Sequence, residues 1–133
     1  MYEILMPIDT DTDRALRQAR AVEDLPGGPE DVHVTVLHSF TDNPSGASIT
    51  QLQSARRTES HLQDAGYSVT LDERSGSPAD AILDVAAEDD VDLICIGGRK
   101  RSPTGKVLFG SVTQSVLLDA DRSVLVCRRD VDA

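Results

Sequence analysis

Residues 97–111 combine several glycines with the densest cluster of positive charge in the chain. Both lysines and two of the eleven arginines lie between positions 99 and 106, in a chain with a formal net charge of -10. A helix is predicted to begin at Ser111, and a helix N-terminus offers unpaired N–H groups and a positive dipole end to an anion. The glycines would let the backbone approach that anion closely. The stretch therefore predicts a phosphate-binding loop, with a solvated connection whose glycines merely turn the chain as the alternative.

This loop departs from two common nucleotide-binding motifs. Lys106 follows Gly105 as in a Walker A loop, but position 100 is Lys where that motif needs glycine. Val107 also stands where the motif places the Ser or Thr that ligates Mg²⁺. The glycine spacing does not fit the G-x-G-x-x-G fingerprint of dinucleotide-binding folds either. The loop is therefore interpreted as neither a Walker A nor a Rossmann site.

The acidic segment 9–13 places aspartate at every second position, as an EF-hand loop does at its start. Arg14 occupies the position that such a loop reserves for glycine, and Arg20 the position of its bidentate Glu, so calcium is rejected. Two interpretations remain for Asp9, at the end of the first predicted strand. Its carboxylate accepts a hydrogen bond from a ligand in the crevice at that sheet edge, or it caps the following helix.

Other residues with metal or nucleophile chemistry are scattered. His33 and His38 point to opposite faces of one predicted strand, and His61 stands alone on a predicted helix. No cysteine or carboxylate joins them at ligand spacing, so we predict no metal site, and no nucleophile elbow marks a catalytic residue. Cys95 and Cys127 each lie in an apolar run and are interpreted as isolated, small buried hydrophobic residues.

The elements that must position these residues alternate between short apolar runs and amphipathic segments, which is the pattern of β-α units and a parallel sheet. Strands are predicted at 2–8, 32–40, 67–73, 91–98 and 123–127. Helices are predicted after the acidic segment 9–13, after a loop at 41–48, from the N-cap Ser77, and over 111–118. The helix that follows Ser77 is expected to bury one face. That face comprises Ala79, Ile82, Leu83, Ala86 and Ala87.

Length and composition set the class of protein. The 133 residues suit one domain, 1–133. No apolar run approaches the ~20 residues of a membrane span, and no signal-peptide pattern is visible, so we expect a cytoplasmic protein that is not bound to a membrane. The Asp-rich, Lys-poor composition indicates a halophilic protein, with an ordinary acidic cytosolic protein as the alternative. The negative charge argues against nonspecific binding to nucleic acid.

Taken in order, several segments resemble the universal stress protein family over essentially the whole chain. The matching segments are Pro7-Ile8-Asp9, Gly76-x-Pro78 with Ile82, the apolar run 94–97, the run Gly110-Ser111-Val112-Thr113, and Val124-Leu125-Val126. The resemblance implies a doubly wound, five-stranded parallel sheet in the order 3-2-1-4-5 with helices on both faces. It also implies a homodimer joined through the last strand.

The ATP-binding branch of that family carries the pattern G-x2-G-x9-G-[S/T]. By resemblance, Gly97, Gly110 and Ser111 match it, and the amide of Val112 is the next to face phosphate. Asp9 matches an acidic residue near the adenosine, and Ser39 lies where a residue of the second strand borders the adenine. Lys100 stands in place of the second glycine. Its side chain either fills the phosphate space or pairs with a phosphate, and we favour the pairing.

The resemblance implies a stress-response or regulatory protein that binds ATP or AMP, with or without Mg²⁺. Any ATP hydrolysis is expected to be slow, since no base poised to activate water is apparent. The alternative is a nucleotide-free, dimeric interaction module of the same fold. An ATP-cleaving ligase or pyrophosphatase of similar topology is disfavoured, because it needs a Ser/Gly-rich loop where the acidic segment 9–13 lies.

Overall fold

The computed structural model describes residues 1–41, 46–98 and 110–127. Within these ranges, five parallel strands form one sheet in the order β3-β2-β1-β4-β5. The strands are β1 (Tyr2–Pro7), β2 (Val32–Phe40), β3 (Ser68–Ser75), β4 (Leu93–Gly97) and β5 (Ser123–Cys127). The helices are α1 (Thr12–Glu23), α2 (Gln53–Asp64), α3 (Pro78–Glu88) and α4 (Ser111–Asp119). The predicted single-domain α/β fold and its strand order are confirmed.

Helices cover both faces of this sheet, so that two cores form. Ile4 and Met6 of β1 pack against α1 and α2, where Ala19 and Leu62 are fully buried. Leu5, between them, points to the opposite face and packs with α3 and α4. The period-two alternation of β1 therefore fills both cores at once, which is why its interior residues are all apolar. None of the described helices is long and apolar enough to cross a bilayer.

The predicted bounds of the strands hold to within two residues. β4 begins at Leu93 instead of Val91, because the Val91 N–H turns back to the Ala86 carbonyl (3.1 Å) at the end of α3. At its other end β4 stops at Gly97, although the Gly98 N–H still donates to the Cys127 carbonyl (2.8 Å). The connection that follows β4 thus leaves the sheet beside the end of β5.

The buried face of α3 differs from the predicted one. Ala81, Ile82, Val85 and Ala86 are buried, whereas Ala87 is exposed. Ala79 and Leu83, which were also assigned to that face, are half-buried. Apolar residues occupy most of this helix, so two overlapping faces fit the helical period equally well. Packing against the sheet selects the face that carries Val85.

The two cysteines are not isolated from each other, which corrects the prediction made for them. Both are buried, as expected, but their Sγ atoms lie 3.0 Å apart across β4 and β5. Residue 95 pairs in register with Leu125, and residue 127 with Gly97, so the thiols approach diagonally. Only the pairing of two strands distant in sequence brings them together, and no local pattern encodes that contact.

Candidate functional site

A crevice opens at the carboxyl edge of the sheet because β1 and β4 diverge. β1 pairs with β2 along six residues, from Tyr2 to Pro7, but with β4 only at Ile4 and Leu5. The strand order reverses direction on either side of β1, and such a switch point is where open α/β sheets bind ligands. A pocket of about 280 Å³ lies there. It extends from the ends of β1, β2 and β4 to the N-terminus of α4.

One buried side chain bridges the two diverging strands. Gln18 of α1 is 2% exposed, and its Nε2 donates to the carbonyls of Pro7 (2.6 Å) and Cys95 (3.2 Å). These carbonyls lie beyond the last paired residues of β1 and β4, where they lack ladder partners on that side. Gln18 therefore donates hydrogen bonds to two carbonyls that the separation of β1 and β4 leaves without ladder partners. Its side chain forms the floor of the crevice. The sequence analysis missed this role, because a polar residue on a helix gives no local sign of burial.

The structure brings six of the seven predicted site residues to this pocket. They are Asp9, Ser39, Gly97, Gly110, Ser111 and Val112. The seventh, Lys100, lies outside the described residues, as do the other cations of residues 99–106. Geometry alone thus gathers residues from four separate segments of the chain at one edge of the sheet.

Asp9 faces a cation that the sequence analysis did not assign to the site. A guanidinium nitrogen of Arg14 contacts Asp9 Oδ2, while Asp9 Oδ1 accepts a hydrogen bond from the Asp11 amide at 2.9 Å. The side chains of Arg14 and Asp9 are 41% and 47% exposed, so water and ligands reach both. A basic residue in the first turn of a helix opposes the helix dipole. That unfavourable placement was a signal of a role other than helix stability.

The cap of α1 belongs to Asp11 instead of Asp9. Asp11 Oδ1 accepts a hydrogen bond from the Arg14 backbone N–H at 3.0 Å. This bond, together with the charges of Arg14 and Arg17, holds the pKa of Asp11 below its ordinary value. Because Asp11 satisfies the helix end, Asp9 keeps an exposed carboxylate beside the pocket. The capping interpretation of Asp9 is therefore wrong, and its role as a hydrogen-bond acceptor for a ligand stays a prediction.

At both Gly97 and Gly98, a side chain would crowd another part of the protein. A Cβ at position 97 would lie 3.3 Å from both Cγ and Cδ of Arg14. A Cβ at position 98 would lie 2.9 Å from the backbone carbonyl of Cys127. Gly97 thus leaves room for the Arg14 side chain inside the pocket. Because Gly98 has no side chain, its own backbone can lie against the end of β5.

The N-terminus of α4 faces the pocket from the other side. Gly110 is its N-cap residue and has no side chain that could cap the helix. The first-turn N–H groups that follow Gly110 also have no partner within the helix. Thr113 Oγ1 donates to the Gly97 carbonyl at 3.2 Å, which ties this turn to the end of β4. Ser111 and Val112 therefore present backbone N–H groups and a positive helix end to the pocket.

Two polar side chains of β2 line the pocket, and both already make hydrogen bonds within the protein. Ser39 Oγ donates to the Gly76 carbonyl at 2.9 Å, and His38 Nδ1 donates to the Ile8 carbonyl at 3.0 Å. Phe40 packs edge-on against His38, with ring centroids 4.6 Å apart. His38 lines the pocket, although the sequence analysis considered it for zinc alone. In the described part of the chain, no group of three metal-ligating side chains comes together.

A comparison with models of protein families matches residues 1–128 to the universal stress protein family. The chain belongs to this family. A universal stress protein of Mycolicibacterium smegmatis is 38% identical over 71 residues, which is 53% of this chain and 55% of the relative. The chain thus spans about half the length of the curated relatives it matches.

Solved structures of the family extend the likeness to the whole domain. A universal stress protein from Archaeoglobus fulgidus superposes with a TM-score of 0.74 at 30% identity, covering 95% of this chain and 98% of the other. A second A. fulgidus structure, in complex with dAMP, superposes with a TM-score of 0.65 at 25% identity, covering 95% and 97% of the two chains. Both support the sheet order and the placement of its helices.

Proposed function

We propose that this universal stress protein binds an adenine nucleotide, AMP or ATP, in the pocket at the end of β1, β2 and β4. The observation that carries the proposal is that Arg14 and the first turn of α4 both contact Gly97 and line the same pocket. A cation and a helix N-terminus that face one cavity favour a phosphate between them. The dAMP held by the A. fulgidus relative supports adenine as the base.

The Asp9–Arg14 pair gives the pocket a way to respond to ligand. Without nucleotide, the guanidinium is bound to Asp9. A phosphate competes for that guanidinium, and the freed Asp9 carboxylate then accepts a hydrogen bond from a ribose hydroxyl. An exposed ion pair contributes little stability, about 0–1 kcal/mol, so exchanging it for a phosphate contact has a low cost. The phosphate and the ribose of the nucleotide therefore engage the two partners of one ion pair.

Calorimetric titration with adenosine and with AMP tests this assignment. Wild-type protein should bind both, and AMP more tightly, because only AMP supplies a phosphate to Arg14 and α4. The variant Arg14→Ala should weaken AMP while leaving adenosine nearly unchanged. Arg20→Ala removes the same charge from an exposed position of α1 outside this pocket, and it serves as the matched control. Absence of binding by extensively dialysed wild type, for AMP, ATP and adenosine alike, would refute the proposal.

A second candidate function is a nucleotide-free dimeric module, and β5 is the feature that favours it. β5 ends the order of the sheet, and Val124, Leu125 and Val126 are only half-buried in the single chain. An apolar edge strand of this kind invites pairing with a second copy. We propose that the protein forms a homodimer through β5, which is compatible with nucleotide binding. If the titrations detect no nucleotide binding while the protein remains dimeric, the protein is the nucleotide-free dimeric module.

A further inference from the structure

The thiol pair at the junction of β4 and β5 is a separate chemical feature of the molecule. Cys95 is completely buried and Cys127 is 6% exposed, with 3.0 Å between their Sγ atoms. We propose that these two cysteines form a reversible intrachain disulfide when the protein meets a hydroperoxide. This modification site does not depend on the proposed nucleotide binding.

A second cavity gives an oxidant access to one thiol of the pair. This cavity, of about 420 Å³, is lined by Cys127 and Leu125 of β5 and by Arg17 and Arg20 of α1. A hydroperoxide is small enough to enter it. Cys127 is therefore the thiol that reacts first.

The hydrogen bond between the two thiols gives them different acidities and therefore different roles in the reaction. The Cys95 and Cys127 thiols share a hydrogen bond, and this bond together with burial raises the pKa of Cys95 well above its ordinary value. The same bond lowers the pKa of Cys127. A protonated Cys95 beside a more acidic Cys127 is the arrangement of a resolving thiol beside a nucleophile.

The reaction balances without any group beyond the hydroperoxide. Cys127 loses its proton, and the thiolate attacks the terminal oxygen of ROOH. The O–O bond breaks, a sulfenic acid forms on Cys127, and the departing alkoxide takes up the released proton to leave as ROH. Cys95 sulfur then attacks the Cys127 sulfur, loses its proton, and displaces water as the S–S bond forms. In sum, two thiols and ROOH give one disulfide, ROH and water.

Closing the bond requires a movement of β5. A disulfide needs an S–S distance of about 2.05 Å, and the present contact is longer. The register pairs Cys95 with Leu125, so the bond must run diagonally between the strands. Because β5 has only β4 as a neighbouring strand within the chain, a shift of its end disturbs fewer ladder hydrogen bonds than a shift of an interior strand would. We expect dithiol reductants to reverse the bond by thiol–disulfide exchange.

The test uses the full chain, reduced and then exposed to hydrogen peroxide under native conditions. Thiols are counted by alkylation after denaturation, and intact and peptide masses are measured. We expect both thiols to be lost together, with a mass decrease of about 2 Da for the two hydrogen atoms and a linked pair of peptides. Treatment with a dithiol should restore both thiols.

Two alanine variants separate the roles of the thiols. In Cys95→Ala, Cys127 should stop at the sulfenic acid, which a dimedone-type reagent traps. In Cys127→Ala, Cys95 should stay unreacted at the same exposure, because it lies behind β5. Circular dichroism confirms that each variant folds. The proposal is overturned if wild-type thiols persist while free glutathione is oxidised, if each cysteine is oxidised singly without a link, or if the link joins two chains.

Discussion

The side chain of Arg14 lies across Gly97, with its Cγ and Cδ 3.3 Å from where a Cβ at position 97 would stand. Helix α1 and the end of β4 thus share the space at the end of the pocket where we propose that a phosphate binds. A glycine that the family pattern assigns to ligand approach also leaves room for the Arg14 side chain of the protein itself. We therefore predict that substitutions at position 97 act on nucleotide binding through Arg14 as well as through direct contact.

Alanine at positions 97 and 98 should therefore have different consequences. Gly97→Ala meets the flexible stem of Arg14, which can move, so AMP affinity should fall while stability changes little. Gly98→Ala meets the Cys127 backbone carbonyl at 2.9 Å, and backbone cannot yield without distorting β5. Overpacking of this kind costs about 1–3 kcal/mol. Urea denaturation of both variants, with AMP titration of each, checks this order. Equal loss of stability in the two would contradict it.

Sequence patterns predicted the strands, the helices and the α/β class, because β1 and β4 carry clear apolar runs and Pro78 marks a helix start. The order of the strands was predicted from the resemblance to the family. Two of the missed contacts join segments that are far apart in the chain. Arg14 meets Gly97, and Cys95 meets Cys127, through tertiary packing that no local periodicity reports. The face of α3 was misassigned for the opposite reason, because its apolar residues allow two faces.

The cap of α1 predicts a specific dependence on pH. Asp11→Ala removes the acceptor of the Arg14 backbone N–H and should cost about 1 kcal/mol near neutral pH, as typical N-caps do. The pKa of Asp11 is lowered in the folded state, so its contribution is present above the unfolded pKa of about 3.9 and is lost as pH falls through the folded value. The wild-type advantage over Asp11→Ala should therefore shrink below about pH 4.

Asp11→Ser is the matched control for that measurement, because serine caps helices without a charge. It should retain most of the stability at neutral pH and lose none of it through protonation of residue 11. Denaturant titrations of the three proteins across the acidic range give the comparison. A constant difference between wild type and Asp11→Ala at every pH would show that the carboxylate is not the cap.

Salt should stabilise this acidic protein, and the end of α3 offers a local test. Repulsion in a chain of net charge -10 is screened as the Debye length falls from ~10 Å at 0.1 M salt to ~3 Å at 1 M, so Tm should rise between about 0.1 M and 2 M KCl. Asp89 caps the C-terminus of α3, whose last turn carries no basic residue. Asp89→Asn should gain about 0.3–1 kcal/mol at low salt and lose that gain in concentrated KCl. A gain that is independent of salt would assign the effect to packing.

The proposed dimer predicts that substitutions along β5 change the mass of the particle in solution. Leu125→Pro removes a backbone donor from the edge strand and should give a monomer or an unstable chain. Leu118→Lys changes an α4 side chain that is 76% exposed in the single chain, so the fold should survive. It should weaken association if α4 flanks the interface. A wild type that sediments as a monomer at micromolar concentration in high salt would refute the dimer.

The last prediction concerns Lys100, which lies outside the described residues. Its side chain is predicted either to block the binding of a phosphate or to strengthen it. Arg14 and the N-terminus of α4 already supply positive charge to the pocket, so a lysine on this loop would add a second cation to the same phosphate. A charge-assisted bond is worth about 1.5–3 kcal/mol, and Lys100→Ala should therefore weaken ATP binding by about ten-fold or more. Lys100→Gly should weaken it less, because glycine restores the family's backbone approach. Ligand at ~100 times its dissociation constant stabilises the fold by about 2.7 kcal/mol, so thermal-shift titration in high salt measures both variants. If wild type shows no shift with ATP or AMP while Lys100→Gly gains one, the lysine blocks the site, and the protein is the nucleotide-free module.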